Sequence, residues 1–328
     1  MIHPLTSLRF AFALLVFGSH LSNSQGSWVY TAFLENGFAG VGFFFMLSGF
    51  VLHWSCREQA MGQFYRNRIA RIYPTHLLTL LLFLLPALLK GSPPGEAPAL
   101  LSNALLLHAF VPDEAFFFSG NPVSWSISVE FFFYALFPLL LMGKGRLRRV
   151  LLLLIVLAMI AGAFLLPQEQ QHALYYISPL MRLPEFIIGM ELSALFQRKQ
   201  KIQDTTRQYS GWQWLALAAF IISYALANYI PLLYRYGMYY WLPVGCLIYA
   251  FALPGFWHRL LSQRWLRWLG EISFAFYMIH LLVIRVVMKL GLSTFVESLL
   301  ALALSIAAAA AIRHFYEQPL NRLIRKNG

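Results

Sequence analysis

Runs of about twenty apolar residues, broken by short polar connections, constrain this chain more than any other feature of its sequence. A helix rises about 1.5 Å per residue, so each run matches the ~30 Å hydrocarbon core of a bilayer. Such segments fall near residues 5–22, 37–55, 72–89, 123–142, 149–166, 173–196, 212–230, 238–256, 268–289 and 296–315. No stretch between them is long enough to form a core of its own. The expected fold is all-α, a single integral-membrane domain over residues 1–328. About ten transmembrane helices would surround a central polar cavity or tunnel.

The formal charge of +12 could suggest a nucleic-acid partner, but its placement argues otherwise. Under this span assignment 19 Lys and Arg lie in the connections after spans two, four, six and eight and at the C-terminal end. Only Lys90, Arg235 and Lys289 lie on the opposite side, and Arg9, Arg182 and Arg285 fall inside spans. Basic residues concentrate in cytoplasmic loops, so both termini are expected in the cytoplasm. The charge therefore sets topology, in what is expected to be a bacterial inner membrane with lipid around it. The first segment carries Arg9 and His20 and lacks a small-x-small cleavage site, so it reads as a retained span. Cys56 and Cys246 read as packing residues, and no metal site is expected. The connection 90–120 contains a short apolar stretch, 99–110, expected as a surface or re-entrant helix over an outward cavity.

Placing a charge at the bilayer centre costs at least about 2.5 kcal/mol, which makes every ionisable residue inside a span a functional candidate. Arg9 and His20 stand eleven residues apart in LTSLRFAFALLVFGSH. That step makes three helical turns plus about 20° and climbs roughly 16–17 Å, so the two share a face. They can line a polar track, Arg9 below and His20 near the outer leaflet. Alternatively, Arg9 snorkels to lipid phosphate and His20 rests at the interface. Glu130 lies about 9 Å into the helix entering at Ser124 in NPVSWSISVEFFFYALFP, with Trp125 and Ser128 in its surroundings. Ser124, Ser126 and Ser128 also suit helix-packing hydrogen bonds. Arg182 and Glu185 in ISPLMRLPEFIIGM suit an internal ion pair, and Pro184 between them predicts a broken helix. His280 in ISFAFYMIHLLVIR has Tyr277 as a candidate partner. In FYRNRIARIYP, read as a cytoplasmic loop, Arg68 and Arg71 have the three-residue spacing that a helix presents on one side, suited to grip a phosphate; the plainer reading is topogenic charge. GVGFFFMLSGF combines small residues with Ser48, so that a backbone or a ligand can approach closely.

Taken in order, Arg9-x10-His20, GFFFMLSGF followed by Arg68-x-x-Arg71, VSWSISVEFFFYALFP, RLPEFIIGM and ISFAFYMIH resemble the acyltransferase-3 family of membrane O-acyltransferases. The resemblance covers essentially the whole chain. It implies transfer of an acyl group, usually acetyl from cytoplasmic acetyl-CoA, to a hydroxyl of a glycan or lipid-linked sugar on the far side. Histidine suits removal of a hydroxyl proton, so His20 is expected as general base with Glu130 orienting or supporting it. Arg9, Arg68, Arg71 and Ser48 would hold the donor. Trp125, Ser128, Arg182, Glu185, Tyr277 and His280 would line the acceptor side. An acyl-histidine intermediate is a second route that the residues leave open. Some members of the family carry an extra esterase-like domain, whereas EQPLNRLIRKNG ends this sequence, so the outer loops and cavity are expected to recognise the acceptor.

Three other readings compete. HAFVPD has the His-x4-Asp spacing of glycerolipid acyltransferases, but Pro112 interrupts it on the side away from cytoplasmic acyl-CoA. A membrane-bound O-acyltransferase of the other polytopic type would make His280 catalytic, without a matched upstream partner. A transporter or flippase could use Arg9, His20 and Glu130 as a path, but matched broken helices in two halves are not visible.

Overall fold

The computed structural model describes residues 2–21, 27, 30–55, 60–202 and 209–326; Cys56, Arg57 and Arg207 lie outside them. Among the described residues the regular structure is helical, with no strand. Ten helices of fifteen residues or more follow the expected segments: α1 His3–Ser19, α2 Gly40–Ser55, α3 Met61–Leu89, α4 Trp125–Met142, α5 Lys144–Leu165, α6 Pro179–Ile202, α7 Ser210–Ala225, α8 Met238–Ala252, α9 Arg264–Val287 and α10 Thr294–Ala311. Among the described residues, six stretches are long and apolar enough to cross a membrane: Glu35–Ser55, Met61–Leu89, Pro122–Met142, Gly145–Leu165, Arg264–Leu290 and Thr294–Ile324. With seventeen, sixteen and fifteen residues, α1, α7 and α8 are shorter than that, and α6 carries charges along its length. This is an integral membrane protein.

Four local expectations change. FYRNRIARIYP is helical, because α3 starts at Met61 and runs through Pro74 without a break. Its Arg and Ala residues are good helix formers, and the helix runs on into the span without the expected loop. Pro184 does not break α6. It is the sixth residue of the helix, where proline removes one backbone bond close to the N-terminus. The discontinuity comes earlier, at Ser178, between α6 and a π-turn at His172–Ile177. Cys246 is exposed on the outer face of α8, not packed inside the chain. The apolar stretch 99–110 is divided: an eight-residue helix, Ala97–Ala104, precedes a turn in which Leu106 takes a φ of 58°.

The chain forms two compact units, residues 1–57 with 143–166 and 182–273, and residues 58–142 with 167–181 and 274–328. In the first, α1 packs on residues 35–40 and α2, with Phe12 stacked on Phe43 at 3.7 Å between ring centroids. Between α2 and α6 the backbones almost touch. A Cβ on Gly49 would lie 2.0 Å from the Phe186 carbonyl oxygen, and one on Gly189 1.9 Å from that of Met46. Gly49, one of the small residues noted from sequence, therefore serves helix packing.

In the second unit, α3 packs on α4 through stacked Phe64 and Phe137, 5.3 Å apart. A buried polar network ties residues 97–124 to this pair and to the later part of α9. His76 Nε2 lies 3.0 Å from the Asn103 carbonyl oxygen, and Asn103 Nδ2 donates to Ser119 O and Ser124 Oγ at 2.6 and 3.1 Å. Asn121 Nδ2 donates to Met278 O at 2.9 Å. The strained turn at Leu106 is held by Ser128, whose Oγ donates to its carbonyl at 2.6 Å. A left-handed backbone at a non-glycine residue costs about 1 kcal/mol or more, and a short buried hydrogen bond is of the size that offsets it.

Candidate active site

The candidate residues divide between the two units. Arg9, His20, Ser48, Arg182 and Glu185 belong to the first; Arg68, Arg71, Trp125, Glu130, Ser128, Tyr277 and His280 belong to the second.

His20 follows the last residue of α1, its backbone N–H bonded to Phe17 O at 3.1 Å. The half-buried imidazole turns back onto its own helix, with Nδ1 2.9 Å from the Val16 carbonyl oxygen. A carbonyl can only accept, so Nδ1 carries the proton and Nε2 is the basic nitrogen. That tautomer suits a general base. Arg9 lies half-buried on the same helix, and Ser48 is buried on α2 next to Gly49.

Arg182 and Glu185 form the internal pair, Nη2 to Oε1 at 3.2 Å, with side chains 1% and 2% exposed. Arg182 also donates through Nη1 to the Tyr236 carbonyl oxygen, and its guanidinium lies 5.2 Å from the Phe45 ring centre. Two neighbours of this pair, Arg235 and Trp241, carry no simple spacing signal in the sequence. Arg235 Nη1 donates to Asn36 Oδ1 at 2.6 Å and to Asn228 Oδ1 at 3.1 Å, while the Trp241 indole N–H faces the Glu185 carboxylate.

In the second unit, Glu130 accepts from the Tyr134 hydroxyl at 2.5 Å. The charges facing Arg68 are those of Arg71 and Glu130, and its guanidinium lies 5.7 Å from the centres of the Phe64 and Tyr134 rings. Glu317 faces Arg71 and Arg313. Arg68, Arg71, Glu130 and Tyr134 thus form one electrostatic cluster on α3 and α4. The i,i+4 spacing of Glu130 and Tyr134 was the available signal for the tyrosine, which composition alone did not single out. Trp125 packs on Tyr176, 4.7 Å between ring centroids. The serines after it are engaged with neighbours, Ser126 Oγ with Tyr277 OH at 2.8 Å and Ser128 with Leu106. His280 is fully buried, with Nδ1 2.7 Å from Tyr277 O. Its ring also lies 5.8 Å from that of Tyr277, centre to centre.

A serine–histidine contact in the second unit looks catalytic but has the wrong polarity. Ser124 Oγ lies 3.2 Å from His108 Nε2, yet its proton goes to Asn121 O at 2.7 Å, and its oxygen also accepts from Asn103. His108 must donate to the serine, so it cannot deprotonate it. Asp113 caps a short helix by accepting from the Ala115 N–H at 2.8 Å. His108 and Asp113 are thus engaged in holding the loop. A different pair missed from sequence joins α5 to α6: Arg148, counted among the topogenic cations, is buried and bonded to Glu191 at 2.5 Å. His53 Nδ1 lies 3.1 Å from Ser193 Oγ.

The family profile described as "Acyltransferase domain" matches residues 3–314. Acyltransferase MdmB of Streptomyces mycarofaciens is 30% identical, over 98% of this chain and 92% of its own length. The peptidoglycan O-acetyltransferase OatA of Listeria monocytogenes is 25% identical over 90% of this chain, which spans about half of that longer relative, 52%. No solved structure matches. With the profile covering nearly the whole sequence and the helices following its ordered motifs, the chain belongs to the acyltransferase-3 family and is a membrane acyltransferase.

Proposed function

We propose that the protein moves an acyl group, acetyl in the simplest case, from acyl-CoA on the cytoplasmic side to a hydroxyl of a glycan or lipid-linked sugar on the extracytoplasmic side. Ten membrane-crossing segments with both termini inside agree with the 19-to-3 distribution of basic residues. The Listeria relative, named for a peptidoglycan substrate, supports a glycan acceptor.

The observation that carries the reading is the His20 tautomer, fixed by the Val16 carbonyl. In the proposed step Nε2 takes the proton of the acceptor hydroxyl as its oxygen attacks the thioester carbonyl. The C–S bond then breaks, and the CoA thiolate leaves with the proton that His20 returns. Arg9, one face below, binds the pantetheine or phosphate portion of the donor. Arg68 and Arg71 grip CoA phosphates, and Ser48 contacts the donor arm. Glu130, which faces Arg68, sets the charge of that grip. Trp125, Ser128, Tyr277 and His280 are the residues proposed to serve the acceptor.

The test uses purified protein, radiolabelled acetyl-CoA and a mixture of glycan acceptors. Label transfer that is lost in His20→Ala, with CoA binding retained, is the expected result. Transfer at the wild-type rate in that variant would remove the assignment.

A further inference from the structure

The first turns of α1 and α9 meet a short helix, Phe256–Leu261, in the first unit. Ser7 Oγ on α1 donates to the Leu261 carbonyl oxygen at 2.5 Å. A Cβ on Gly270 would lie 1.9 Å from the Thr6 carbonyl oxygen, so bare backbone at that position lets α9 come this close to α1. The contact brings His3, His258 and Arg267 together. Arg267 Nη1 lies 3.5 Å from His3 Nε2, and His258 faces His3.

A guanidinium only donates, and a neutral imidazole accepts through one nitrogen, so this cluster has donors to spare. Arg267 Nε is buried without a hydrogen-bond partner among the described residues. The carboxylate that faces His3 is that of Glu271, exposed and one turn beyond Arg267 on α9. Arg264, one turn before Arg267, shares the same face of the helix. Two guanidiniums against one carboxylate leave a positive charge there before either histidine takes a proton.

The depth of the cluster in the membrane follows from its neighbours. Trp212 and Trp214 at the start of α7, and Trp265 and Trp268 at the start of α9, are exposed. Trp214 also packs on Trp257 of the short helix, with ring centroids 5.0 Å apart. Tryptophans on the outer surface of a membrane protein concentrate at the level of the lipid headgroups. The anion that a membrane offers at that level is a lipid phosphate, and an anionic lipid also complements the surplus positive charge.

We propose that His3, His258 and Arg267 form a site for the headgroup phosphate of an anionic phospholipid. This binding is independent of the acyl-transfer reading.

The experiment places the full chain in phosphatidylcholine nanodiscs and replaces a rising fraction of that lipid by phosphatidylglycerol. The unfolding temperature is followed, and native mass spectrometry reads the lipid that stays bound when the disc is removed. Phosphatidylglycerol is expected to raise the unfolding temperature and to remain bound. Arg267→Gln should weaken its retention about fivefold or more, with partial recovery in Arg267→Lys. Arg146→Gln, which removes an exposed basic charge elsewhere in the same unit, should leave retention at the wild-type level. If Arg267→Gln fails to fold, His258→Gln provides the second test, with a several-fold loss expected. Equal losses in Arg146→Gln and the cluster variant, or wild-type retention in the cluster variant that folds, would overturn the proposal. So would inorganic phosphate that raises the unfolding temperature in phosphatidylcholine discs as far as phosphatidylglycerol does, because the anion would then come from solution.

Discussion

Replacing Glu185 with Gln tests how the first unit tolerates the charges at its centre. Arg182 and Glu185 are 1% and 2% exposed and 3.2 Å apart, with Phe45 against the guanidinium. At that separation the attraction is about 5 kcal/mol with an effective dielectric near 20. The desolvation of both ions offsets much of it, so the pair contributes little net stability. Breaking it is different, because Glu185→Gln leaves a buried guanidinium without its counter-ion, and Arg182→Met leaves a buried carboxylate. Each single change should cost about 3–5 kcal/mol. The double variant Arg182→Met/Glu185→Leu removes both charges and should lose far less than the two singles combined. The assay is the unfolding midpoint of each variant in one detergent, combined as a double-mutant cycle. A double variant that loses the full sum would refute the argument, since the two groups would then be independent and not a coupled buried pair.

Other variants address separate links in the reasoning. Arg68→Gln/Arg71→Gln should raise the KM for acetyl-CoA several-fold with a smaller effect on kcat; an unchanged KM would remove the phosphate grip. Tyr134→Phe should weaken donor binding less than the double change, because it removes one hydrogen bond to Glu130, and kinetics in acetyl-CoA would show it. Gly49→Val places a side chain into the Phe186 carbonyl and should lower the unfolding midpoint by an amount equivalent to at least about 1–3 kcal/mol; a wild-type midpoint would mean that α2 and α6 are not in backbone contact. Burial, with His76 nearby, lowers the His108 imidazole from 6.5 to about 3. Its neutral form is therefore the folded one, so the stability it contributes is complete above pH 6.5 and declines as pH falls toward 3. The expected slope is about 1.4 kcal/mol per pH unit, and His108→Gln should flatten it in an acid titration of the unfolding midpoint.

The features legible in the sequence were those with a short period. Apolar runs gave the positions of ten long helices, and the three-residue step gave the Arg182–Glu185 pair, because a helix turns such spacings directly into contact. Failures came where a local cue was given a longer reach than its physics allows. Pro184 marks the lost hydrogen bond of a single residue, and in the second turn of α6 that loss does not end the helix. Arg235 was counted as one of the few basic residues on the outer side, a solvated charge by sequence position. Its contacts to Asn36 and Asn228 span 199 and 7 residues, respectively, and the longer one has no periodic signature. The same limit applies to Trp241, which meets Glu185 only after α6 and α8 have packed. Helical spacing can therefore nominate the first charged pair of a membrane site, while the groups that surround such a pair are brought to it by tertiary packing.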